Sequence, residues 1–453
     1  MEGITVSTPI STWQLLVDFW QFKDMNVIWV LAGTILLAVS AAMVGTFAFL
    51  RKRSLIGDAL AHAALPGVMM AFLLFQTRDP VIMFLGALVS SFIGFYIIDW
   101  LPKNTKIKPD GALAITLSFF FALGIMLLSY IQGMNIENKS GLDKILFGQA
   151  AAMTEDDIQL LLSVTILVLA VIMILFHKFR VIAFNLDYAR TIGINVKLFE
   201  FILALLIVMS VVVGLQIVGV VLMAAVLLTP VAAARLWSDK LNHILVLAAT
   251  IGALSAIIST HISYLGPAMP TGPWMVVSMA SLFFLSFLFA PEKGLLKRYL
   301  EQRTLRQKVV EENILRTLYK LWERTDFEQT CFNMADIQSL RSIQASRLKA
   351  ALKLLCRKAL ITESANGFDL TEHGQKMATQ LTRRHRLWER YLSEQVDLTP
   401  EQVHSQAEWV EHILTPEQEK LLEAELDESR IDPHGKSIPA KQNGKKTQGQ
   451  SNA

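Results

Sequence analysis

Cysteine is almost absent: Cys331 and Cys356 are the only two in 453 residues. No CxxC pair occurs, which excludes a zinc knuckle and a disulfide framework. The two thiols read as ordinary residues of a reducing compartment. A phosphate-binding GxxxxGK[ST] loop is also missing. Gly435-Lys436-Ser437 comes nearest, but Arg430 stands where the first glycine is needed. The chain is therefore not expected to bind or hydrolyse ATP alone. No basic run precedes the first apolar stretch, where Glu2 and Asp18 sit instead, so no cleaved leader is expected. A net charge of +3 is too small to speak for nucleic acid. Charge is scarce over most of the chain. Residues 1–290 hold 16 Lys/Arg and 15 Asp/Glu, whereas the last 163 hold 26 and 24. The composition changes near Pro291, as expected of two bodies in different solvents.

What fills the first 290 residues is apolar. A helix needs ~20 such residues to cross the hydrocarbon core. Candidate spans are 26–50, 58–77, 80–101, 111–132, 157–177, 199–216, 218–237, 243–264 and 273–290. The sixth and seventh are parted only by Gly214–Gly219, so the count is eight or nine. With nine, one set of loops carries 15 Lys/Arg and the opposite set four. Basic residues accumulate on the cytoplasmic side, which puts the C-terminal body in the cytoplasm. The long outer loop 134–156 is expected to dip toward the bilayer over 141–152.

Ionisable groups inside a span are costly and mark function by default. Asp58 and His62 lie i, i+4 in Ser54-Leu-Ile-Gly-Asp-Ala-Leu-Ala-His-Ala-Ala-Leu-Pro-Gly67 and share one helix face. Carboxylate and imidazole suit a borderline divalent ion. Pro66 deprives the His62 carbonyl of its helical donor, and transporter sites are built at such breaks. The competing reading is an Asp–His bond that holds helices together. His261 reads either as a helper ligand or as an interfacial histidine. The segment 184–195 reads as a short helix ending near Gly193, a helix-stop residue.

Ser54–Gly67, Asp187-Tyr-Ala-Arg-Thr-Ile-Gly193 and Gly219-Val-Val-Leu-Met-Ala-Ala-Val-Leu-Leu-Thr-Pro230 together resemble the zinc/manganese/iron family of ABC import permeases. The resemblance covers about residues 25–291. It implies a type II importer fold like that of cobalamin permeases. It also implies that Asp58 and His62 lie on the metal pathway. Asp187, Ala189 and Gly193 would belong to a coupling helix docked into the ATPase.

From Leu295 onward the pattern is that of a soluble domain. Glu312–Arg324, Met334–Leu340 and Gln344–Lys358 have amphipathic helix patterns, and Ile361–Thr371 alternates around Asn366-Gly367, a hairpin signal. Helix, helix-turn-helix and hairpin make a winged helix. Arg347, Lys349 and Lys353 either touch phosphates or form a solvated face. Beyond it, His385 and Glu389 lie i, i+4 on one helix, and His404, Glu408, Glu411 and His412 share a face of the next. Arg384-His-Arg-Leu-Trp-Glu389 and Val403-His-Ser-Gln-Ala-Glu-Trp-Val-Glu-His412 resemble repressors of the diphtheria-toxin-repressor type, which depend on iron or manganese. That resemblance makes His385, Glu389 and His404 an ancillary metal site, and Glu408, Glu411 and His412 part of a principal one. Asn313 and Arg316 stand where that family has ligands, so the domain either senses metal or is kept as a structural element.

The expected fold is an all-α polytopic membrane protein of eight or nine transmembrane helices, followed by a cytoplasmic winged helix and a helical metal-binding and dimerisation domain. Expected boundaries are an N-terminal segment 1–25, a permease domain 26–291, a linker 292–311, a winged helix 312–371, a metal-binding domain 372–432 and a disordered tail 433–453. The expected function is the permease subunit of an ATP-binding cassette importer. It would move manganese, zinc or iron across a bacterial inner membrane, with metal as substrate and as regulatory ligand. Its expected partners are an ATPase subunit, an extracytoplasmic metal-binding protein and a second permease subunit, with nucleic acid not expected. The alternative is a membrane-tethered, metal-responsive transcription regulator.

Overall fold

The computed structural model describes residues 17–22, 24–51, 55–135, 142, 146, 148, 150, 153–266, 269–395, 416–426 and 431–440. The chain divides into two compact units, Met1–Arg298 and Tyr299–Ala453.

The first unit contains α1 (Met25–Leu50), α2 (Ile56–Phe75), α3 (Pro80–Asn104), α4 (Pro109–Gly133), α5 (Glu155–Phe184), α6 (Leu186–Thr191), α7 (Val196–Val218), α8 (Met223–Trp237), α9 (Leu241–Leu265) and α10 (Thr271–Phe289). Their starts follow from local chemistry. Asp24 accepts from Asn26 N, and Asp79 accepts from Val81 N and Ile82 N with Pro80 at the first helical position. Thr154 and Asp157 form a reciprocal capping box.

Eight of these helices are long and apolar enough to cross a membrane, and α8 is not one of them. Its 15 residues span about 22 Å against a ~30 Å hydrocarbon core. The count of eight or nine thus resolves to eight long helices and one short one. The division falls at Gly219, which stops α7 with φ +91°. The break is buried: Val218 and Val220 are fully enclosed. The outer loop reaches it, since a Cβ on Gly148 would lie 2.4 Å from the Ile217 carbonyl oxygen. Leu142 and Ala150 of that loop are buried as well.

The outside of α3 is apolar. Val81, Leu85, Val89, Ile93, Tyr96 and Trp100 are all exposed at helical spacing, while Gly86, Ser90 and Gly94 face inward. That is the reverse of a soluble helix and fits a lipid-facing surface.

The second unit begins within α11 (Leu295–Arg324), whose first four residues belong to the first unit. The expected linker 292–311 is therefore helical from Leu295, and the expected helix 312–324 is only its end. After α11 come β1 (Cys331–Phe332), α12 (Met334–Leu340), α13 (Ala345–Arg357), β2 (Ile361–Ser364), β3 (Gly367–Leu370), α14 (Glu372–Gln395) and α15 (Pro416–Glu425). The three strands form an antiparallel sheet in the order β1-β3-β2. Helix, strand, helix-turn-helix and hairpin follow the element order of a winged helix, and β1 is an addition the sequence pattern did not show.

The hairpin is where it was expected, but Asn366-Gly367 is not its centre. Ser364 pairs with Gly367, so Ala365 and Asn366 make the turn, and neither has positive φ. Gly367 serves β1 instead, because a Cβ there would lie 2.5 Å from the Phe332 carbonyl oxygen.

Residues 433–440 were expected to open a disordered tail, but they are ordered together with Ile431 and Asp432. They form a small folded loop. Ile431 bridges Ser437, and Asp432 accepts from His434 N and Lys436 N. Ile438 is buried.

Candidate metal path and sensor site

Helix α2 lies deep in the first unit, with Ala59, Leu60, Ala61, Ala63, Ala64 and Leu65 fully buried. Small residues let its neighbours approach closely. A Cβ on Gly67 would sit 2.1 Å from the Gly86 carbonyl oxygen of α3, and one on Gly124 of α4 would sit 2.6 Å from Leu65. Ser90 donates to the Ala63 carbonyl (2.6 Å) and Ser91 to the Leu60 carbonyl (3.1 Å). These bonds brace the turn on which Pro66 leaves the His62 carbonyl without its helical donor.

The structure brings Asp58 and His62 together. His62 Nε2 lies 3.6 Å from Asp58 Oδ1, with the imidazole nearly buried and the carboxylate 28% exposed. Phe121 meets the ring edge-on at 4.9 Å. His62 Nδ1 is buried with no hydrogen-bond partner among the described residues. His261 sits elsewhere, against Phe19 and Trp20 near the end of α9, and it is not brought to Asp58 and His62.

The short helix α6 is capped at both ends. Asn185 accepts from Tyr188 N. At the other end Ile194 N donates to Ala189 O and Gly193 N to Arg190 O, with Gly193 at φ +79°: a Schellman stop. The sequence reading assigns Asp187, Ala189 and Gly193 to a docking face, and the structure divides them. Ala189 is fully buried against Ile182, Ile194 and Val196, so its small side chain serves the loop's own packing. Asp187 is exposed and pairs with Arg190 at 3.1 Å. Gly193 is open to solvent. The exposed apolar groups of the loop are Tyr188 and Ile192, which the sequence reading placed in the loop but did not single out; their i, i+4 spacing was the available signal. Another omission is Arg51. It pairs with Glu200 and donates to the Ile182 carbonyl, tying the end of α1 to α5 and α7.

In the second unit His385 and Glu389 are both buried, with His385 Nε2 at 2.9 Å from Glu389 Oε1. His434 Nε2 lies 3.9 Å from the same oxygen. Arg316 Nη1 stands 2.7 Å from His385 Nδ1. A guanidinium has no acceptor, so Nδ1 accepts from it, the proton of the neutral ring sits on Nε2, and Nε2 turns it toward Glu389. Nitrogen and carboxylate oxygen suit manganese, ferrous iron or zinc, but Nε2 offers its lone pair to such an ion only when Arg316 leaves Nδ1 and the ring proton moves there. His404, Glu408, Glu411 and His412 lie outside the described residues. Among the described residues no cluster of three or more His, Cys, Asp or Glu converges.

Beside this pair runs an ionic network. Arg386 holds Glu323 with two bonds of 2.9 and 2.7 Å and reaches Asp432 at 3.3 Å. Burial pushes the Glu323 carboxyl up, but Arg386 and Lys436 outweigh it and hold the group below the usual range. Arg384 binds Glu419 at 3.0 Å, linking α14 to α15.

Eight long apolar helices, one of them carrying the Asp58–His62 pair, are those of a polytopic membrane protein. The ABC 3 transport family profile matches residues 23–290, more than half of the chain, and the chain belongs to that family. It is a membrane-embedded permease. Residues 371–440 match the metal binding and dimerisation domain of the iron dependent repressors. The manganese transport system membrane protein MntC of Bacillus subtilis is 37% identical over 379 residues, covering 83% of this chain and 86% of that protein. The zinc transport system membrane protein TroC of Treponema pallidum is 36% identical, covering 62% and 95%. Among solved structures, PsaBC from Streptococcus pneumoniae in complex with Fab shares 33% identity at a TM-score of 0.57, covering 64% of this chain and 98% of that one.

Proposed function

We propose that this permease imports a divalent transition metal, manganese or zinc, and that the metal passes between Asp58 and His62. The observation that carries the reading is the buried His62 with Nε2 3.6 Å from Asp58 Oδ1, on a helix that contains Pro66. Relatives named for manganese and for zinc transport support the substrate class. Two ligands do not complete a coordination shell. The 28% exposure of the Asp58 side chain leaves it open to further ligands, from water or from a second permease subunit.

The chain has no phosphate loop, so an ATPase subunit supplies the energy and docks on α6 through Tyr188 and Ile192 around the Asp187–Arg190 pair. An extracytoplasmic metal-binding protein delivers the ion. The C-terminal unit faces the cytoplasm. His385 and Glu389 would hold a regulatory metal there, with His404, once Arg316 leaves Nδ1 to take the ring proton, and Glu408, Glu411 and His412 would be a second set. Such an ion would supply a cross-brace between helices. Arg316 fixes the His385 ring so that Nε2 points to Glu389.

The test is metal content. Deletion of the gene should lower cell-associated manganese or zinc under limitation, and re-expression should restore it. Unchanged content of both metals, with growth unaffected by chelators, would refute the reading.

A further inference from the structure

The second unit has a groove that neither the transport path nor the metal site uses. It measures about 500 Å³ and lies between the N-terminal half of α11 and α13. Arg303, Arg306 and Arg347 line it, with Tyr299 at one end and Ala351 and Leu354 beneath. Glu311 also lines it but is engaged by Lys358 at 2.5 Å. The three arginines have no ion-pair or hydrogen-bond partner among the described residues. All three are exposed, so their guanidinium groups are free to meet a ligand beside Ala351 and Leu354. They are suited to an anion carrying an apolar body.

We propose that this groove binds the phosphate headgroup of an anionic phospholipid from the membrane the chain spans. Connectivity favours lipid over other phosphates. Tyr299 comes ten residues after Phe289, the last residue of the last span, so bilayer headgroups are presented to the groove at high effective concentration. Residues 293–308 carry six Lys/Arg and one acid, a polybasic run placed where such runs recognise anionic lipid. Tyr299, Leu300 and Leu305 on the same helix are exposed apolar residues, which an interface would cover. Arginine forks bind the phosphodiester, and Ala351 and Leu354 pack against the glycerol and the first acyl carbons.

The experiment uses the full-length protein in phosphatidylcholine vesicles doped with a photoactivatable phosphatidylglycerol, with adducts mapped by mass spectrometry. Adducts are expected on peptides covering 299–311 and 347–354, removable by excess unlabelled phosphatidylglycerol. Arg303→Gln/Arg306→Gln/Arg347→Gln should reduce them about ten-fold or more. The matching triple change to Lys should retain most of them. Adducts on the spanning helices, unchanged in all variants, show that each protein is inserted and folded. Equal labelling of the Gln variant overturns the proposal. So does competition by millimolar inorganic phosphate, which would make the groove a free-anion site, or by a short DNA duplex, which would make it a nucleic-acid face.

Discussion

Gly67→Ala is the sharpest perturbation of the packing that holds Asp58 and His62. The added Cβ would lie 2.1 Å from the Gly86 carbonyl oxygen and 2.6 Å from Ser90 Cβ. A relaxed carbon–oxygen contact is about 3.3 Å, so α2 and α3 must part by about 1 Å. The obstacle is backbone and cannot rotate away. Overpacking of this kind costs about 1–3 kcal/mol. The same displacement stretches the Ser90–Ala63 and Ser91–Leu60 bonds, each worth about 0.5–1.5 kcal/mol net. Those bonds anchor the carbonyls on either side of His62, so the imidazole moves with them. The purified protein should melt several degrees lower, and uptake should fall further than the loss of folded protein explains. Gly133→Ala is the control, since a Cβ there meets nothing within 4 Å. Wild-type melting and uptake in Gly67→Ala, or equal damage in Gly133→Ala, would refute the packing argument.

Two further outcomes follow from the site geometry. Tyr188→Ala with Ile192→Ala should abolish stimulation of the ATPase while leaving the permease stable. Ala189→Trp should instead lower stability, because Ala189 is enclosed; a stable Ala189→Trp protein would show that the loop is packed differently. Glu323 is held below its ordinary value of 4.5 by Arg386 and Lys436, against burial. Its contribution to the second unit is complete above that value and is lost as pH falls through the lower folded value. The second unit should therefore lose stability as pH falls below 4.5 and through the lower folded value, followed by Trp322 and Trp388 fluorescence. Glu323→Gln should flatten that decline, and an unaltered pH profile would count against the Arg386 pairing.

Much of the architecture was legible because it is one-dimensional. Apolar runs longer than ~20 residues announce spans, and i, i+4 spacing placed Asp58 with His62 and His385 with Glu389. Gly193 announced the end of α6. What stayed hidden depends on partners far apart in sequence. The shortness of α8 follows from a break at Gly219 that is buried against Gly148, and no local pattern encodes that contact. Ala189 reads as a small docking residue until Ile182 and Val196 are seen to cover it. Arg316 reads as a lost ligand, yet it caps His385 across 69 positions. The segment 433–440 reads as tail by composition. It folds because Asp432 collects two backbone donors and Arg386.

The central claim is that metal crosses the membrane over Asp58 and His62. The direct measurement is uptake of radioactive manganese and zinc into proteoliposomes holding the permease, its ATPase subunit and the metal-binding protein, with wild type compared to Asp58→Asn and His62→Ala. The account expects both variants to assemble, to hydrolyse ATP and to transport neither metal. Uptake close to wild type in both variants would contradict it.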